Sequence, residues 1–202
     1  TSKRLYVVNE IVSTEETYVK ILNTVIELYV TPLENNNIIT PEDMKVLFCN
    51  IKEILEGAEV LAQKLRERLK EFEVVDTICD VFLMNKSIFE RYGTYIQNYE
   101  KASTLFDKLQ KKKRFEEFCD QQKENPLSNN ADLLSFLINP VQRIPRYILL
   151  MREYIKNTEK GHPDAAYAEQ VSRYLDSYAK EVNSIIAREN NKQKLRDIVK
   201  KF

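Results

Sequence analysis

Glycine is scarce, with three in 202 residues against a usual share of about 7%. Hairpins and tight turns depend on glycine, and the sequence has no Asn-Gly, Asp-Gly or Gly-Gly pair. A sheet-rich fold is thereby disfavoured, and long helices with few turns are expected. Histidine occurs once, as His162 between Gly161 and Pro163, and reads as a helix-boundary residue rather than a general base. Gly-rich phosphate loops, HExxH and GxSxG are missing, so enzymatic chemistry is hard to build and a binding function is the stronger starting point. The three cysteines (Cys49, Cys79, Cys119) are odd in number and lack metal-ligand spacing; they read as buried thiols of an intracellular protein. An excess of either charge is also lacking. The 31 basic and 31 acidic residues cancel, which argues against a nucleic-acid binder. No apolar run approaches the roughly 20 residues of a spanning helix, and no signal-peptide pattern opens the sequence.

What is present is helical periodicity. With 43% hydrophobic and 31% charged residues the chain is neither disordered nor membrane-spanning, and its length suits one domain or two small ones. A first helix is expected over about residues 2–31, stopping before Pro32. Thr40-Pro41-Glu42-Asp43 is a strong helix start: a capping hydroxyl, proline at the first position, acids at the positive dipole end. A second helix follows, and a third runs from about Asp76 to Gln110, with Gly93 a candidate bend. A short helix around Phe115 and Phe118 ends before Asn125-Pro126. A fifth spans about Ala131 to Thr158, and the last starts near Asp164. The expected architecture is all-α, an elongated bundle of about six long helices.

Four features stand out. In IVSTEETYV (residues 11–19), Glu15 falls in the middle of an apolar arc formed by Leu5, Val8, Val12, Val19, Leu22, Ile26 and Tyr29. A buried carboxylate needs partners, so Glu15 is either paired internally, for example with Arg143, or lies in a groove where a partner supplies donors. In LLSFLINPVQRIPRYILLMREYIK (residues 133–156), Pro140 and Pro145 interrupt a helical pattern whose apolar rhythm continues through them. Gln142, Arg146 and Glu153 gather on the opposite side, which suggests a kinked helix with one core face and one bond-forming face. The run Lys111-Lys112-Lys113-Arg114 reads as a solvated inter-helix segment, with contact to acidic lipid as the alternative. In KQKLRDIVKKF (residues 192–202), Leu195, Ile198, Val199 and Phe202 form an apolar stripe that either folds back or awaits a neighbour.

Two of these stretches resemble one family together. VVNEIVSTEETYVKIL (residues 7–22) resembles the first conserved region of the Dbl-homology (DH) domain, the catalytic module of Rho-family guanine-nucleotide exchange factors. LLSFLINPVQRIPRYILLMREYIKNT (residues 133–158) resembles its third, and PVQRIPRY is a highly specific string. LYVTPLENNN and ITPEDMKVLFCNIKEIL resemble the region between the family's first two long helices. The resemblance covers essentially the whole chain.

The resemblance implies a DH domain over 1–202, whose last stretch, about 190–202, leads to an absent pleckstrin-homology (PH) domain. It implies an exchange factor that reshapes the switches of a Rho/Rac-type GTPase and frees GDP for GTP, with no covalent chemistry and no cofactor or metal of its own. Glu15 matches the glutamate that meets switch I. Arg146 matches the basic residue that meets switch II, where many members carry lysine. Asn183 on the last helix is expected to meet switch II as well, with Gln142 on the same docking face. Ile138 matches a position that selects between GTPases, leaning to the Rac type, although IPRY is similar to members acting on the Cdc type. On this reading Glu15 stands in water at the floor of a groove, and its removal spares the fold. The protein would be a cytoplasmic monomer, recruited to the membrane periphery through the PH domain. A purely structural helical scaffold, or a degenerate DH domain that binds without exchanging, are the alternatives.

Overall fold

The computed structural model describes residues 2–201, and helices joined by short turns account for nearly all of them. α1 (Ser2–Val25) buries Val8, Ile11, Val12, Leu22 and Val25. The helical path, however, does not stop before Pro32. A wide turn over Ile26–Val30, in which the Thr31 N–H reaches back to the Ile26 carbonyl, carries the chain into α2 (Thr31–Asn36). Proline lacks an N–H and crowds the preceding turn; the extra residue in the wide turn makes room for it. α2 ends at Asn37, whose φ of 55° is left-handed.

α3 (Pro41–Phe48) starts as its sequence specifies, with the Thr40 hydroxyl accepting from the Asp43 N–H at 3.1 Å. The expected second helix is broken at Cys49, whose φ is 49°, before α4 (Ile51–Lys70) resumes the same apolar rhythm against α1. α5 (Phe72–Val75) is a single turn. The expected third helix is three pieces, α6 (Cys79–Met84), α7 (Lys86–Phe89) and α8 (Tyr92–Gln110). Buried asparagine and a partner helix supply the bonds that the breaks remove. The Asn85 amide donates to the Val81 carbonyl at 2.7 Å, and Asn50 donates to the Arg91 carbonyl at 2.8 Å. α9 (Lys113–Glu124) follows, and Lys111 to Arg114 are all exposed at its start.

α10 (Leu133–Leu137) is capped by Asp132, which accepts from the Ser135 N–H at 2.9 Å. The expected fifth helix divides at Ile138, and α11 (Asn139–Lys156) begins there. Pro140 thus sits in a first turn, where its missing N–H costs little; only Pro145 is a true interior proline. α12 (Pro163–Lys200) has 38 residues, about 57 Å at 1.5 Å per residue. Its last buried residue is Val182. Leu195, Ile198 and Val199 beyond it are 63%, 54% and 66% exposed, so the tail stripe does not fold back; Phe202 lies outside the described residues.

A polar clasp closes one end of the bundle. His162 caps α12: its Nδ1 accepts from the Asp164 N–H at 3.0 Å, so the ring proton sits on Nε2 and points to Asp76 at 2.8 Å. Arg4 of α1 pairs with the same Asp76 and donates to the Tyr154 hydroxyl at 3.0 Å. The fully buried Asp164 accepts from Tyr154 and from the Ile78 and Cys79 N–H groups, which start α6. Arg4 and His162 hold the Asp76 carboxyl below the usual carboxylate range.

Candidate docking face

α1 and α11 lie side by side and run in opposite directions, Arg4 meeting Tyr154 at one level and Glu15 meeting Arg143 at another. Glu15 is 0% exposed. The Arg143 guanidinium donates to one Glu15 oxygen through Nε at 3.0 Å and Nη2 at 2.7 Å, and Nη2 also reaches the Thr14 hydroxyl at 3.2 Å. The Tyr147 hydroxyl donates to the same carboxylate at 2.6 Å. Arg143 lies over the Tyr147 ring at 4.4 Å and the Tyr18 ring at 5.3 Å. Tyr147 in turn stands edge-on to Phe82 and Phe89. Burial pushes the Glu15 carboxyl up, against the pull of Arg143 and Tyr147. Burial also works against the Arg143 charge, but Tyr147 and Glu15 outweigh it and keep the guanidinium protonated.

The expectation of Glu15 standing in a solvated groove is therefore corrected. Its place in the centre of the apolar arc makes it a core residue, and its lone pairs are taken by donors from α11. Of the two readings open from the residues alone, pairing with Arg143 is the one the structure carries.

The acid at the surface is Glu10, which the sequence reading passed over. It pairs with Arg146 at 2.6 Å, with side chains 33% and 45% exposed. Glu10 lies five residues before Glu15, about 140° away around the helix, outside the apolar arc. That position was the available signal: a residue at the arc's centre faces the core, while one outside it stays at the surface, where it can reach a partner. Beside this pair, α1 and α11 bound a cleft of about 310 Å³ lined by Thr14, Thr17, Tyr18, Gln142, Arg143 and Arg146 among others. Gln142 is exposed on its rim, and Ile138 is half-buried at the joint before α11.

Asn183 is exposed on α12. The Arg152–Asp176 pair, at 3.5 Å, ties α11 to α12. Arg146 and Gln142 stand exposed on α11, and Asn183 stands exposed on the neighbouring α12. Glu10 pairs with Arg146, and Glu15 is buried.

These features have close counterparts. The RhoGEF domain model matches residues 7–183. Rho guanine nucleotide exchange factor 10 of Homo sapiens is 31% identical over 186 residues, which are 89% of this chain and 14% of that protein. The chain therefore spans a small part of the curated relatives it matches. Among solved structures, the DH domain of FARP2 superposes with a TM-score of 0.82 at 23% identity, covering 98% of this chain and 97% of that one. The DH/PH fragment of PDZRHOGEF, solved with human RhoA, superposes with a TM-score of 0.88 at 21% identity over 96% of this chain and 57% of that one. The fold is that of a DH domain, and the chain belongs to the RhoGEF domain family.

Proposed function

We propose that this chain speeds the release of guanine nucleotide from a Rho-family GTPase by binding the nucleotide-free form more tightly than the nucleotide-bound form. No bond is made or broken. The difference between the two affinities lowers the barrier to dissociation, as linkage requires. The observation that carries this reading is the exposed Glu10–Arg146 pair at the mouth of the α1–α11 cleft. An acid and a base that satisfy each other at a surface can exchange partners on docking. The carboxylate is free to accept backbone N–H groups from one mobile segment of the GTPase, and the guanidinium to donate to another.

The switch I role therefore falls to Glu10 rather than Glu15. Arg146, Gln142 and Asn183 form the switch II side. Ile138, at the edge of the same face, is the selectivity position, with a Rac-type GTPase as the first candidate and a Cdc-type as the second. The names of the relatives, a Rho exchange factor among them, support the GTPase class. A PH domain following α12 is the proposed cover for Leu195, Ile198 and Val199; a DH/PH fragment is among the structural neighbours.

The test is release of a fluorescent GDP analogue from RhoA, Rac-type and Cdc-type GTPases in the presence of the chain. Acceleration on at least one, lost in Glu10→Ala, supports the reading. Release at the intrinsic rate on all of them returns the chain to a scaffold or a binding-only domain.

A further inference from the structure

Asn183 is one residue beyond Val182, the last buried residue of α12. What fixes its place is the final anchor of that helix. The anchor is at Gly93, in the first turn of α8, where backbone N–H groups have no partner within the helix. The Tyr178 hydroxyl accepts from the Gly93 N–H at 2.8 Å and donates to the Glu90 carbonyl at 3.1 Å. One phenol thus closes the break between α7 and α8 from outside. Tyr174, one turn earlier, stacks on Tyr178 and reaches the Glu90 carboxylate at 3.2 Å. The approach is close because residue 93 has no side chain. A Cβ there would lie 2.8 Å from the Tyr178 hydroxyl oxygen, 3.5 Å from Val182 Cγ2 and 3.7 Å from Tyr178 Cζ. Only the hydroxyl would clash; the other two are ordinary contacts.

We infer that Gly93 and Tyr178 are positioning residues for nucleotide exchange: the gap at Gly93 seats Tyr178 and Val182, and so holds Asn183 at the height where it meets the GTPase. This rests on the reading of Asn183 as a GTPase contact. A methyl at residue 93 pushes the Tyr178 hydroxyl off the Gly93 N–H and the Glu90 carbonyl and so loosens the seat of α12 next to Asn183, while the α1–α11 face with Glu10 and Arg146 is untouched. Phenylalanine at 178 removes the clashing atom, so the two substitutions together are expected to offset each other in part. A general loss of packing would instead add.

The experiment uses the full chain and whichever of RhoA, Rac-type or Cdc-type GTPase it discharges fastest, loaded with a fluorescent GDP analogue. Gly93→Ala, Tyr178→Phe and the double variant are each made with Asn183 and with Asn183→Ala, and thermal melting is followed in parallel. Gly93→Ala is expected to slow exchange about tenfold and Tyr178→Phe about threefold, with the double variant near the Tyr178→Phe rate. Asn183→Ala is expected to cost about tenfold in the unaltered chain and less than about twofold beside Gly93→Ala, because a displaced side chain has little left to lose. Should Gly93→Ala not fold, Tyr178→Phe carries the same test, since it must both slow exchange and blunt Asn183→Ala. Full exchange in the folded variant, or effects of residues 93 and 183 that multiply, overturns the inference while leaving the function standing. An unchanged rate in Asn183→Ala alone overturns the assignment of Asn183 and this inference with it.

Discussion

Glu15 with Arg143 and Glu10 with Arg146 are two acid–arginine pairs on the same two helices. Their shortest contacts are alike, 2.7 Å and 2.6 Å. Their surroundings are not. The first pair has side chains 0% and 7% exposed, and the second 33% and 45%. In the interior neither charge can be left alone, so the Glu15 pair locks α1 to α11 and sets which residues stand opposite each other above it. At the surface water replaces a lost partner at little cost. The Glu10 pair is therefore free to open. One pair holds the register and the other uses it.

That contrast can be broken from either side. The largest effect is expected from Glu15→Ala, which strands a buried guanidinium and should lower stability by about 3–5 kcal/mol in urea unfolding. Glu15→Gln, which keeps an acceptor, should cost less. A Glu15→Ala protein as stable as the parent would return Glu15 to the docking role. Next comes Glu10→Ala. It should slow exchange about tenfold to a hundredfold, the loss of one or two hydrogen bonds to a charged group, while stability moves by less than about 1 kcal/mol. Arg146 should behave in graded fashion. Arg146→Ala is expected to weaken affinity for the nucleotide-free GTPase about tenfold, and Arg146→Lys to keep much of it, because the charge survives and only the fork is lost. A Lys variant as poor as Ala would show that fork geometry, not charge, is what the partner reads.

The smallest effect concerns a third pair of in-between exposure, Arg4–Asp76, with side chains 9% and 48% exposed. Asp76 is depressed by Arg4 and His162. A depressed carboxyl contributes stability that is present above its unfolded value of about 4 and is lost as pH falls through the lower folded value. Asp76→Asn should therefore lower the melting temperature by a few degrees at pH 7, and the difference from the parent should shrink at pH 3. A constant difference across that range would mean that Asp76 acts by shape rather than charge.

Local rules carried most of the fold. Thr40 caps α3 because hydroxyl, proline and acids all point to the same start, and His162 takes the helix boundary that its Gly-Pro setting implied. Breaks set by tertiary contact were not legible. Cys49 turns left-handed with no glycine to announce it, and Asn50 replaces a backbone bond with a partner far along the chain, while Asn85 does so with a carbonyl one turn back. Pro32 looked like a terminator because periodicity cannot show a turn widened by one residue. For the site, the wheel placed Glu15 correctly in the core-facing arc and Arg146 on the open face. The resemblance to the family's first conserved region does not by itself distinguish the two acids. Only the side-chain geometry separates Glu10 from Glu15.

From Val182 to Lys200 α12 continues as one helix with no further buried residue. Eighteen residues make an arm of about 27 Å. A tilt of five degrees at its root would swing its far end by about 2 Å. Leverage runs both ways along such an arm. A load applied near Leu195 or Ile198 is delivered, as torque, to the contact between Tyr178 and Gly93, one turn from Asn183.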